Sequence, residues 1–114
     1  DELLAMIEEV KTTVEVNPAV EHYIVSICAH TRQVPEVRLG VSPRGALALL
    51  RASRVAAAAA GRSYVTPDDV KALAQFVLAH RVILKPDAEL AGRTAADVVA
   101  RALQAVAVPR TLVR

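Results

Sequence analysis

Leu39-Gly40-Val41-Ser42-Pro43-Arg44-Gly45 carries a complete helix start in seven residues. Ser42 is suited to cap the exposed amides of a first turn, and Pro43 fits the first helical position, where its missing N–H would be unpaired anyway. Arg44 then falls beside the positive end of the helix macrodipole, a place suited to an anion. Two readings stay open at this point. Arg44 is either a solvated residue on a well-capped helix, which spacing alone favours, or a guanidinium held where it can fork onto phosphate oxygens. The helix runs from Pro43 to about Ala60, and Gly61 ends it where a left-handed residue is wanted. Leu47, Leu50 and Ala57 cluster on one side, with Ala46 and Ser53 adjacent. Arg44 and Arg51, seven residues apart, stack away from that side.

The composition agrees with helices. The chain has 114 residues, a length suited to one domain, and 54% of them are hydrophobic, enough to bury a core. That core is built from Ala, Val and Leu, since the aromatic residues are only Phe76, Tyr23 and Tyr64. Small side chains at close contacts suit a helical bundle, as does the Ala56 to Ala60 run. The expected class is all-α, a small bundle of four to five helices. A net charge of +2 is too small to indicate a nucleic-acid protein by itself. Cys28 is the only cysteine, so no disulfide forms within the chain, and its place on an apolar helical face makes it a buried small hydrophobe. No apolar run is long enough to span a bilayer, and a soluble, cytoplasmic protein without a leader is expected. A first residue of Asp1 rather than Met suggests a piece of a longer protein.

Working outward, Leu3, Met6, Ile7 and Val10 predict a short amphipathic helix over Asp1 to Lys11. A second helix, from about Pro18 to Thr31, carries the stripe Val20, Tyr23, Ile24, Ile27, Cys28 and Thr31. Thr66-Pro67-Asp68-Asp69 opens a further helix with a cap, an N1 proline and two first-turn carboxylates; Val70, Leu73, Ala74 and Val77 line its core face. The β-branched residues 14–16 can pair with 82–85 as a minor two-stranded sheet. Pro86 to Arg93 reads as a polar loop. Thr94 caps a last helix with Asp97 as box partner; its stripe is Val98, Val99, Ala102, Leu103 and Val106, and Pro109 terminates it. The domain is expected over 1–109, with 110–114 as a loose tail.

Other chemistry finds little support. His22, His30 and His80 are scattered without ligand spacing, so no metal site is expected. Ser42, Ser53, Ser63 and Cys28 lack a glycine elbow and a His–acid pairing. Glu8-Glu9 and Asp68-Asp69 sit where solvated faces and first turns carry acids. There is no GxxxxGK[ST] loop, so Arg44, if functional, completes a site built elsewhere. Arg51, Arg54 and Arg62 could join it in a basic patch, but no aromatic neighbours offer base stacking, and nucleic-acid binding is the minority reading.

Several segments together resemble one family. Tyr23-Ile24-Val25, Thr31-Arg32, Gly40-Val41-Ser42-Pro43-Arg44-Gly45, Gly61 to Val70 and His80-Arg81 follow the order seen in MoxR-type AAA+ ATPases. The chain is similar to their C-terminal helical lid, from Asp1 to about Pro109, and the lid of magnesium-chelatase-type subunits is a near neighbour. The resemblance implies that Arg44 is the sensor-2 arginine, contacting the terminal phosphate of ATP bound by an α/β core. It implies ATP and Mg as ligands of the intact protein, with the core supplying the P-loop lysine and the metal site. It also implies ring oligomers with chaperone-like action and von Willebrand factor A-type partners. Gly45 stands where alanine is frequent, a small-for-small change. Thr31-Arg32 and His80-Arg81 match without an assigned chemistry beyond a structural job at the lid–core boundary, and Arg51 has no assigned role. The competing class is a free-standing helical module that binds protein or DNA, since Thr66 to Val70 also starts like a histone-fold helix. On the lid reading the purified 114-residue chain turns over no measurable ATP and binds nucleotide weakly at best. A phosphate-release assay on the pure chain checks this, and measurable turnover would sink the lid assignment.

Overall fold

The computed structural model describes residues 14–110, so the helix expected over Asp1 to Lys11 and the last four residues lie outside the described part. Five α-helices and a two-stranded sheet follow in the order α1 (Pro18–Gln33), β1 (Val37–Leu39), α2 (Pro43–Ala59), α3 (Pro67–Leu78), β2 (Ile83–Leu84), α4 (Pro86–Leu90) and α5 (Ala95–Ala105). A 3₁₀ turn, Ala79–Arg81, links α3 to β2. The expected all-α class holds.

The helix starts follow local chemistry. Asn17 caps α1 by accepting the Ala19 amide at 2.7 Å. Thr66 and Asp69 form a reciprocal capping box on α3, and Thr94 and Asp97 form one on α5. Proline occupies the first turn of α1, α2, α3 and α4. At the other end of α2, Gly61 adopts φ +80°, the left-handed conformation that glycine reaches without strain.

The core forms where α2 packs on α3 while α1 closes over α2 and α5. Tyr23 and Ile27 of α1, Leu49 of α2, Val70 and Leu78 of α3, and Val98 and Val99 of α5 are its large buried side chains. Ser53, Ala57, Ala74 and Ala102 are fully buried between them, small enough to let the helix backbones approach. The α1 stripe is buried residue for residue as expected. That of α2 differs. Gly45, Leu49, Ser53 and Ala57 face the core at four-residue spacing, whereas Leu47 is exposed and Leu50 half-buried. In α3 the buried residues are Pro67, Asp69, Val70, Ala74 and Leu78, while Leu73 and Val77, expected on the core face, are half-buried.

Three expectations fail at the irregular segments. The partner of β2 is β1, antiparallel with Val37 opposite Leu84, and not residues 14–16. Both backbone groups of Glu15 are already taken, its N–H by the Ser63 carbonyl at 2.8 Å and its carbonyl by the Val65 amide at 3.0 Å. Residues 86–93 are also not all loop. Pro86 starts α4, which buries Ala88, and Gly92 at φ +85° turns the chain out of it. Finally, α5 stops at Ala105, before Pro109 is reached.

One ion pair fastens the link between α2 and α3. The Arg62 guanidinium grips Asp69 through two hydrogen bonds, at 2.8 and 2.6 Å, and also donates to the Tyr64 carbonyl at 3.1 Å. Burial pushes the Asp69 carboxyl up, but the hydrogen bonds from Arg62 and Thr66 outweigh it and hold the group below its ordinary range. A depressed native pKa gives stability that is present above the unfolded value, about 3.9 for Asp, and is lost as pH falls through the native one. Melting followed by circular dichroism should therefore show an acid-labile component below about pH 4 that Asp69→Asn removes, at a cost of about 2 kcal/mol at neutral pH. An unchanged acid profile in that variant would show that Asp69 carries no linked stability.

Candidate functional site

The first turn of α2 is the place where the sequence put its candidate, and the structure builds it as expected. Ser42 is the extended N-cap residue and accepts the Gly45 amide at 3.4 Å. Pro43 follows at the first helical position and Arg44 at the second, exposed to solvent. Among the described residues Arg44 has no ion-pair or hydrogen-bond partner. The positive end of a 17-residue helix and an uncommitted guanidinium thus coincide, an arrangement that favours an anion.

What holds that turn in place was not legible beforehand. The loop Gly40-Val41 lies against the last turn of α1. Thr31, fully buried, donates its hydroxyl to the Cys28 carbonyl at 2.6 Å and accepts the Val41 amide at 3.0 Å. Arg32 donates from Nη1 to the Val41 carbonyl. Gly40 permits this approach, because a Cβ there would stand 2.8 Å from both the backbone N and the Cα of Arg32. On the opposite side Gly45 turns its bare Cα toward Val41 and Arg81. A Cβ at Gly45 would fall 2.5 Å from Val41 Cγ1 and 3.2 Å from Arg81 Cδ. Arg81 is half-buried and donates from Nε to the Val77 carbonyl at 3.1 Å. The Thr31-Arg32 and His80-Arg81 motifs therefore meet at the start of α2, although His80 itself is exposed.

The remaining candidates separate. Arg51 is exposed and Arg54 half-buried on α2. Arg62 does not join Arg44 in a basic patch. It lies beyond the far end of α2, roughly 25 Å away along the helix axis, and its charge is spent on Asp69. Cys28 is buried, and burial pushes its thiol up to about 11 although the Arg32 charge pulls it partly back. Such a thiol is inert at neutral pH. Among the described residues no three His, Cys, Asp or Glu side chains gather as a metal site, and no helix is long and apolar enough to cross a membrane.

Next to Pro43 an apolar groove of about 360 Å³ opens between α1 and α2, lined by Ile24, Cys28, Pro43, Leu47 and Leu50 among others. Exposed Val25 and Leu47 line it too, and Glu21 and Arg32 supply its charges.

Comparison with known proteins agrees with this geometry. Residues 29–108 match the family model of the AAA lid domain, and the chain belongs to that family. More narrowly it is a lid of the MoxR type. It is 34% identical to the chaperone MoxR1 of Mycobacterium tuberculosis, over 94% of this chain and 31% of that one. To the MoxR protein of Methylorubrum extorquens it is 36% identical, over 71% of this chain and 27% of that protein. It is 45% identical to YeaC of Bacillus subtilis over 84% of this chain and 30% of that protein. A crystal structure of a Cytophaga hutchinsonii protein assigned as an ATPase superposes with a TM-score of 0.84 at 27% identity, covering 90% of this chain and 34% of that one. The chain thus spans about a third or less of the length of the relatives it matches.

The two glycines of the site should respond differently to a methyl group. Gly40→Ala meets backbone, which cannot turn aside, and should cost about 3 kcal/mol. Gly45→Ala meets a side-chain methyl of Val41 rather than backbone, and gains about 1 kcal/mol of helix propensity, so it should cost less than Gly40→Ala. Urea unfolding of both variants measures the difference, and equal costs would mean that the contact between Gly40 and Arg32 is not tight.

Proposed function

We propose that this lid serves an ATPase by supplying Arg44 as the sensor-2 contact to the terminal phosphate of ATP. The observation that carries this reading is the exposed Arg44 guanidinium, without a partner among the described residues, at the capped N-terminus of α2. Family membership supports the core as the other half of the site. A guanidinium is suited to the task because its planar fork stays charged and matches phosphate oxygens.

The mechanism follows from having the two halves of a site on separate bodies. A core domain holds ATP, its Mg and the P-loop, and the lid presents Arg44. ATP then cross-links the two, and its binding favours the closed arrangement because Arg44 gains a phosphate partner only there. Hydrolysis and phosphate loss remove that partner and free the lid. The apolar groove beside Pro43, with Val25 and Leu47 exposed, offers a surface for the core to cover on closure. In this reading the parent forms a ring of like subunits with chaperone-like action in the cytoplasm, and von Willebrand factor A-type proteins are its candidate partners. The name of the Mycobacterium tuberculosis relative, a chaperone, supports the chaperone-like part.

Arg44→Ala in the polypeptide that joins this lid to its core should lower ATP turnover by at least about tenfold. The lid itself should stay folded, since an exposed side chain with no partner among the described residues contributes within about 0.5 kcal/mol. Steady-state phosphate release, with circular dichroism as the folding control, tests both. Unchanged turnover and nucleotide affinity would remove Arg44 from the site.

A further inference from the structure

We propose that Arg32 is a positioning residue for Arg44, acting through the backbone carbonyl of Val41, whose amide Thr31 anchors. The inference rests on the phosphate-contact reading of Arg44 and adds the residue that decides where its guanidinium stands.

The geometry is a two-sided grip on one residue. Thr31 approaches Val41 from the buried side and takes its amide, while Arg32 takes the carbonyl from the partly exposed side. The Thr31 hydroxyl cannot drift, because its own hydrogen is committed to the Cys28 carbonyl one turn back. Gly40 brings the loop backbone into contact with the Arg32 backbone, so the grip acts over a short lever. Val41 is also fully buried, with its Cγ1 against Gly45 in the first turn of α2. Only Ser42 and Pro43 separate the gripped residue from Arg44. Proline holds its φ near one value, and Ser42 is tied to the Gly45 amide. The start of α2 therefore has little freedom left relative to α1.

A purely structural explanation fits Thr31 better than Arg32. Thr31 satisfies a buried amide that would otherwise be orphaned. The residue Arg32 is exposed, and water could satisfy a single carbonyl as well as its guanidinium does. A long, flexible side chain held at that carbonyl contributes geometry more than stability.

The test uses the polypeptide that joins lid and core, with two readouts: ATP turnover and affinity for a slowly hydrolysed ATP analogue. Arg32→Met keeps the aliphatic stem and removes the donor. It should lower turnover by about tenfold, the scale of loss expected when a reacting geometry is displaced by a fraction of an ångström to one ångström, with the unfolding midpoint essentially unchanged. Arg32→Lys, whose ammonium can still donate to the Val41 carbonyl, should recover most of the activity. Thr31→Ser should resemble wild type, since it keeps the hydroxyl. Arg32→Met placed on Arg44→Ala should cause no further loss in either readout, because both changes act through the same contact. Losses that add in the double variant would give Arg32 a contact of its own and overturn the proposal. Wild-type turnover in Arg32→Met beside an impaired Arg44→Ala overturns the positioning role alone. Wild-type behaviour of Arg44→Ala overturns the phosphate reading beneath it.

Discussion

Val41 has its amide and its carbonyl both held by side chains from consecutive residues of α1, and the candidate site depends on that grip. A buried amide without a partner costs about 1–3 kcal/mol, so the Thr31 hydroxyl is a requirement of the fold at this point. The same contact fixes the loop from which α2 begins. Everything on the first turn of α2, including the capped amides and Arg44, inherits its place from α1. Gly40 is the condition for the arrangement, because any larger residue would push the loop off the helix.

The rest of the molecule keeps that junction rigid. The core face of α2 consists of Gly45, Leu49, Ser53 and Ala57, a row with one large side chain, which lets α3 and α1 come close. Close-packed helices of this kind move as bodies. At the far end of α2, the ion pair between Arg62 and Asp69 ties the turn to the capping box of α3. Arg62 and Arg44 thus divide the two roles an arginine can play here. Arg62 is consumed by the fold. Arg44 is exposed and has no partner among the described residues, and membership of the AAA lid family supports the proposal that its partner lies in a core domain.

Legibility in the sequence followed how local each interaction is. The caps at Ser42, Thr66 and Thr94 and the box partner Asp97 were read correctly, since each bond joins residues three apart. Asp69 was legible only as a first-turn acid, and its burial in a capping box and ion pair was not. The α1 stripe was equally plain, because its apolar residues contrast with Glu21 and His22 beside them. On α2 the contrast is missing. Leucines at 47, 49 and 50 and alanines all around the helix leave periodicity unable to choose a face, and Leu47 was assigned to the core in place of Leu49. The strand pairing was missed because residues 14–16 look more β-like than Val37-Arg38-Leu39, although Ser63 and Val65 had already engaged Glu15. The α4 turn was hidden by its polar composition, with only Pro86 and the acids after it as a signal.

By itself the sequence determined where the main helices between Pro18 and Ala105 start, which face α1 and α5 bury, and that Arg44 sits in a capped first turn. These are matters of hydrogen bonds and periodicity within a few residues, so they are written in order along the chain. Only the tertiary structure decided that Thr31 and Arg32 grip a residue ten and nine positions away, that Arg81 lies against Gly45, and that Arg62 is unavailable to any patch with Arg44. Those outcomes depend on which backbones meet in space. Two helices packed through small residues bring a loop within reach of side chains whose partners no local pattern specifies.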